Sequence, residues 1–219
     1  MDERAEVPKP TQQARSQATR ARLVAAAGRC LIARGYAGAS TATVAAEAAV
    51  SQGALFKHFP GKAMLLGACV EAQLAVLVTS FAADLGRRLG AGETSFETRL
   101  RGAVRALWGV FRQREMTAIF EVYVAARTDP VLEAVLAPLL QAHRQRILGQ
   151  AARLFPEAAA HLDFEPVVDA VVYAMQGASL GLFAPDEGAD ERHAALFERM
   201  ARHELTRLLN HEGETRCHA

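Results

Sequence analysis

Apolar residues recur at helical spacing along nearly the whole chain. Leu23, Ala26, Ala27, Cys30 and Leu31 fall at i, i+3, i+4, i+7 and i+8, one face of a helix from about Arg15 to Arg34 with Gly35 as its C-cap. Two short pieces follow, Thr41 to about Ala48, opened by Ser40 or Thr41, and Ser51 to Phe59, opened by Ser51 and stopped by Pro60-Gly61. A long helix runs from Lys62 to about Arg88 with Leu65, Ala68, Ala72, Ala75 and Val76 on one face, and the stretch from Gly86 to Ser95 reads as a loop. Further helices are expected from Phe96 to Phe111, Glu115 to Arg127, Pro130 to Leu154, Phe164 to Phe183 and Asp190 to Leu209, with a turn at PDEGAD before the last. No segment alternates with period two and no long repeat is evident, so the expected fold is all-α and not a solenoid.

Residues 1 to 14 lack this period and carry Pro8 and Pro10, which predicts a disordered arm without the features of a signal peptide. Apolar runs elsewhere are broken by charged residues or glutamines, so no membrane-spanning helix is expected. Cys30, Cys69 and Cys217 are widely spaced, which fits reduced thiols in a cytoplasm.

Composition changes the picture only when it is divided. The 219-residue chain has a formal charge of +1, which announces no polyanion partner. Residues 1 to 62, however, hold nine basic and four acidic side chains, a surplus of five, and the remainder has a deficit of four. Arg15, Arg22 and Arg29 recur every seven residues as a basic stripe on the first helix. A basic first quarter on a mildly acidic body suits two parts with different partners, the first a polyanion.

The segment STATVAAEAAVSQGALFKHFPGK, residues 40 to 62, has the form of a helix-turn-helix. Ala45, Ala48 and Ala49 let two helix axes approach, and Val44, Val50, Leu55 and Phe59 seal the pair onto the preceding helix. Ser51, Gln52, Gly53, Ala54, Lys57 and His58 are left outward, short, polar or basic groups suited to base edges and phosphates in a major groove. Other αα-corners share this pattern.

The order of Thr19, Arg20, Leu23, Ala26, Ala27, Gly35, Tyr36, Ser40, Thr41, Val44, Ala45, Ala48, Val50, Ser51, Gly53, Leu55, His58, Phe59 and Lys62 resembles the N-terminal domain of TetR-family transcription regulators. Two positions depart from the family pattern: Ala49 stands where a turn glycine is usual, and Phe56 where a tyrosine is usual. The resemblance implies a three-helix DNA-binding domain at 15–62 and a helical ligand-binding and dimerisation domain at 63–219. It implies phosphate contacts from Thr41, Ser51, Lys57, His58 and Lys62, with Gln52, Gly53 and Ala54 facing bases, and a DNA-binding place for Arg20.

The same resemblance implies a homodimer on a pseudo-palindromic operator, released by a small hydrophobic effector. Small residues on the helix from Phe164 (Ala170, Ala174, Gly177, Ala178, Gly181), with Phe197 and Ala201 of the last helix, are the expected dimer face. Trp108, Phe111, Phe120, Tyr123, His143, Tyr173 and Gln176 are the expected ligand contacts, and His143 is notable as a polar group in an apolar stripe. No GxSxG, P-loop, GxGxxG or HExxH is present, so neither an enzyme nor a cofactor or metal site is expected, and Glu157 and His161 alone do not make one. The alternative is a helical adaptor that binds only protein.

Overall fold

A computed structural model of the protein describes residues 11–92, 94–181 and 188–211. Among these are nine helices and no strand: α1 (Gln12–Gly38), α2 (Thr41–Glu47), α3 (Gln52–His58), α4 (Lys62–Leu89), α5 (Phe96–Phe111), α6 (Arg114–Ala126), α7 (Pro130–Leu154), α8 (Phe164–Ser179) and α9 (Ala189–His211). Five of these helices start at short polar side chains that accept a hydrogen bond from the first turn. Thr11 accepts from Ala14 N (3.2 Å), Ser40 from Thr43 N (3.1 Å), Ser51 from Ala54 N (3.1 Å) and Ser95 from Thr98 N (3.2 Å). Asp129 caps α7 ahead of Pro130 by accepting from Val131 N and Leu132 N. Each such cap stabilises its helix by about 1 kcal/mol.

Periodicity located the buried face of α1 but misplaced that of α4, where Leu65 is buried and Ala68 half-buried while Ala72, Ala75 and Val76 are exposed. The buried side of α4 is Leu66, Cys69, Val70, Leu74 and Leu77, which meet helices on two sides. Leu23, Ala26, Ala27, Cys30 and Leu31 of α1 are all buried, and Val44, Leu55 and Phe59 close α2 and α3 onto them. The head formed by α1 to α3 shares one continuous apolar core with the body formed by α4 to α9. Helix α4 belongs to both, packing against α1 on the head side and against α5 and α7 in the body. Gly67 sits at the crossing of α4 with α7, where a β-carbon would run into Val135 Cγ1. In the body, α8 pairs with α9 and both pack on α5. Two guanidinium groups tie the body helices together: Arg105 of α5 donates to Glu198 (2.5 Å) and Glu191 of α9, and Arg144 of α7 donates to Asp169 (2.6 Å) and Glu165 of α8.

Several sequence expectations are corrected. Helix α1 begins at Gln12, three residues inside the expected arm, because Thr11 supplies a cap that hydrophobic period does not reveal. Residues 1–10 lie outside the described residues, as do Cys217, Leu182, Phe183 and the first half of the PDEGAD turn. Helix α4, with a mean hydropathy of 1.8 over its most apolar window, is long and apolar enough to cross a membrane despite Glu71 and Gln73, contrary to the expectation. It packs here as the central helix of the bundle. Glu157 and His161 fall in turns after α7 rather than on successive helical turns, with Glu157 accepting from Arg99 and His161 Nδ1 from Asp163 N.

The turn of the helix-turn-helix has a cost that the sequence foreshadowed. Val50 N donates to Ala45 O (3.0 Å) across a residue that must be left-handed, and Ala49 occupies it at φ +52°, the one non-glycine residue with positive φ among those described. An alanine pays for this with a β-carbon clash that glycine avoids. Ala49→Gly is therefore expected to raise unfolding stability by about 1 kcal/mol, measured by urea denaturation. An unchanged or lower midpoint would show that the turn is not strained.

Candidate nucleic-acid interface and internal cavity

The capped α3 faces outward from the head. Ser51 Oγ is held against Ala54 N, while Ser51, Gln52, Gly53, Phe56 and Lys57 are exposed and Ala54 and His58 are half-buried. A β-carbon at Gly53 would meet no atom of the chain within 4 Å. Internal packing thus gives no reason for a helix-weakening glycine there. Thr41 is the first residue of α2 and half-buried, and Ser40, not Thr41, is the cap.

Charge around α3 is mostly unneutralised within the head. Glu47, its one described acid, accepts from Arg29 Nε at 2.7 Å. Arg15, Arg22 and Lys57 make no ion pair among the described residues, and the Arg20 guanidinium lies over the Phe59 ring at 5.0 Å, next to the end of α3. Lys62 differs from its expected role. Its ammonium donates to Tyr36 O (2.8 Å) and sits 3.8 Å from the Tyr36 ring centroid, and burial lowers its pKa. Lys62 therefore fastens the end of α1 to α4, and the anion-attracting groups at the start of α4 are its free backbone N–H groups, which no side chain caps.

Tyr36 is held from both ends. The helical part of α1 stops at Gly35, whose φ of +65° lets the chain turn, and the following Tyr36 N–H donates to Glu121 Oε2 of α6 at 2.7 Å. One residue thus links the head to α4 and to α6, a junction that neither periodicity nor motif spacing reveals.

A cavity of about 130 Å³ lies in the body between α4, α5, α7, α8 and α9. Its wall is apolar apart from His143 and Gln150, and Met116 of α6 touches its edge. Of the expected ligand contacts, Phe111 and His143 line it and five do not. Trp108 is turned toward α9, 5.2 Å from Phe197 between ring centroids. Phe120 and Tyr123 pack against each other on α6, Gln176 is half-buried away from the wall, and Tyr173 is 60% exposed on the outer side of α8. The wall is instead mostly aliphatic, including Leu77, Val104, Ile147, Val168 and Val172. Aliphatic positions carry no mark in a sequence that separates cavity from core. Burial lowers the His143 pKa from its ordinary value, and the positive charge of Arg146 adds to this.

The expected dimer face also divides. Ala170, Gly177 and Gly181 are exposed and Ala174 and Ala178 half-buried, but Phe197 and Ala201 are buried in the chain's own core, where Phe197 meets Trp108 and Ala201 lines the cavity. Tyr173, Leu180, Leu196 and Met200 are the large apolar side chains left exposed on α8 and α9.

Residues 23–69 match the family model for bacterial regulatory proteins of the tetR family. An uncharacterized HTH-type transcriptional regulator of Mycobacterium tuberculosis is 32% identical over 148 residues, covering 68% of this chain and 73% of that protein. Similar solved structures include a transcriptional regulator from Rhodococcus sp. Rha1 (TM-score 0.67, 20% identity, 85% of this chain and 96% of that one). A TetR-family transcriptional regulator from Streptomyces coelicolor aligns with a TM-score of 0.61 at 22% identity over 92% of this chain and 98% of that one. The multidrug binding protein EbrR, complexed with imidazole, aligns with a TM-score of 0.59 at 23% identity over 88% of this chain and 96% of that one. With the capped, outward-facing α3 and the helical body behind it, these relationships place the chain in the TetR family of DNA-binding transcription regulators, which are not enzymes.

Proposed function

We propose that the protein is a homodimeric repressor that binds a pseudo-palindromic operator through α3 and leaves it when a small hydrophobic effector enters the body cavity. The observation that carries this reading is the exposed, cap-fixed row of Ser51, Gln52, Gly53 and Lys57 beside Arg20, on a head whose one described acid is already paired. Gln52 suits a base edge, the Ala54 methyl a thymine methyl, and Ser51, Thr41, Lys57, His58 and Arg20 suit phosphates. A protein-binding adaptor has no use for this arrangement. Such a regulator works where its operator lies, in the bacterial cytoplasm.

The head, in this reading, extends from Gln12 to Lys62 and the body follows. Two heads come to one operator if the exposed faces of α8 and α9 pair with those of a second copy. Effector entry acts on the head through α6, because Met116 touches the cavity and Glu121, little more than one turn later, holds Tyr36. A ligand that moves α6 shifts the population toward dimers whose heads no longer match successive major grooves.

Three outcomes follow. Lys57→Ala is expected to weaken binding to upstream DNA uniformly across sequences and to lower the salt slope by about one per contact, whereas Gln52→Ala costs about 1–3 kcal/mol on the preferred sequence alone. Fluorescence anisotropy against salt measures both, and wild-type affinity in the two variants removes α3 from the interface. Tyr173→Glu, at an exposed site, is expected to shift the protein to monomers by light scattering and to weaken operator binding. A dimer of unchanged strength would place the interface elsewhere. Finally, a compound that raises Tm is expected to release DNA from the wild type but far less from Glu121→Ala. Equal release from both would exclude the Glu121–Tyr36 link as the route.

A further inference from the structure

One side chain of the cavity wall carries a polar atom that the chain leaves without a partner. His143 Nδ1 is fully shielded from solvent and makes no hydrogen bond, although a buried polar atom in this state costs about 1–3 kcal/mol and is usually satisfied. His143 belongs to the cavity wall, and because Nδ1 is shielded as the ring stands, a ligand in the cavity meets it when the imidazole turns about χ2 toward the void. We propose that this cavity binds a small neutral phenol, its ring among the aliphatic side chains and its hydroxyl on His143 Nδ1. The proposal rests on the reading of this cavity as the effector site and names the ligand class.

Size, charge and hydrogen-bond chemistry converge on that class. A cavity of about 130 Å³ is close to the roughly 150 Å³ at which an apolar protein cavity takes up benzene, so one six-membered ring with a small substituent fills it. No Asp, Glu, Lys or Arg side chain lines the wall among the described residues. A carboxylate or ammonium entering here would lose its hydration with no opposite charge to replace it. His143 does not supply that charge, because burial and Arg146 both favour its neutral form. Neutral imidazole offers Nδ1 as a donor or an acceptor according to tautomer, and a hydroxyl complements either one. A plain hydrocarbon would fill the space but leave Nδ1 unpaired. Gln150, half-buried in the same wall, is the second polar side chain there and has no atom that is both shielded from solvent and unpartnered.

The test is calorimetric titration of the full-length protein with p-cresol, toluene and p-toluate, which share a ring and a methyl group and differ in the group that meets His143. We expect p-cresol to bind about tenfold tighter than toluene, with p-toluate weakest. The preference over toluene should vanish in His143→Phe and return in part in His143→Asn, whose amide can occupy the place of Nδ1. Should these variants fail to fold, the wild type labelled with ¹⁵N-histidine still decides: the His143 Nδ1 resonance should move with p-cresol and stay with toluene. Equal or tighter binding of toluene, tightest binding of p-toluate, no binding of any of the three, or p-cresol binding without a shift at His143 would overturn the proposal. Operator release is followed in parallel. Binding of p-cresol by way of His143 without release leaves the ligand class standing and removes the effector reading, whereas release by toluene or p-toluate alone does the reverse.

Discussion

The two main-chain groups of Tyr36 determine how the head sits on the body. Its N–H is held by Glu121 of α6 and its carbonyl by Lys62 at the start of α4, immediately after Gly35 turns the chain out of α1. A β-carbon at Gly35 would lie 2.5 Å from Glu121 Oε2, so the glycine both permits the turn and makes space for the carboxylate. The end of a helix leaves backbone groups unpaired, and here side chains from two different helices satisfy them. The position of α3 relative to the body therefore depends on an acid and a lysine that are themselves parts of the body helices. Helix α6 meets the head both through the directional hydrogen bond from Tyr36 N–H to Glu121 and through apolar packing against α1.

This constraint changes the meaning of the charge distribution. The basic surplus of the first 62 residues suggests a uniformly phosphate-seeking surface, yet its members act differently in the folded chain. Lys62 is consumed in the joint, Arg29 is paired with Glu47, and Arg20 lies over Phe59. Lys57, Arg15 and Arg22 remain as open cations. A near-neutral chain can thus carry a localised positive face, with the acids placed in the body, where Glu198, Asp169 and Glu121 meet guanidinium groups and a backbone N–H.

The sequence made most helices legible because apolar positions repeat at 3.6 residues and five of the starts carry a capping Ser, Thr or Asp, whereas α4, apolar on more than one side, hid which of its faces is buried. It also exposed the strain at Ala49, since the departure from a turn glycine is a local chemical fact. The cavity was less legible. Aromatic residues stand out as ligand contacts in the sequence, but of these Trp108, Phe120 and Tyr123 fill core space and Tyr173 lies outside, while the wall is mostly aliphatic and indistinguishable from core in one dimension. His143 was visible because a lone polar residue in an apolar stripe requires a partner, and the structure leaves that requirement open at Nδ1. Phe197 and Ala201 share the small and apolar character of an interface, yet the pairing of α9 with α5 buries them within the chain.

The central claim is that two α3 helices, related by a two-fold axis, read one operator. Hydroxyl-radical footprinting of the full-length protein on the DNA upstream of its own coding sequence tests it most directly. The account predicts two protected half-sites of inverted sequence on one face of the duplex, their centres separated by a whole number of helical turns of about 10 bp each. A single unsymmetric patch of protection, or protection that does not repeat with inverted sequence, would contradict it.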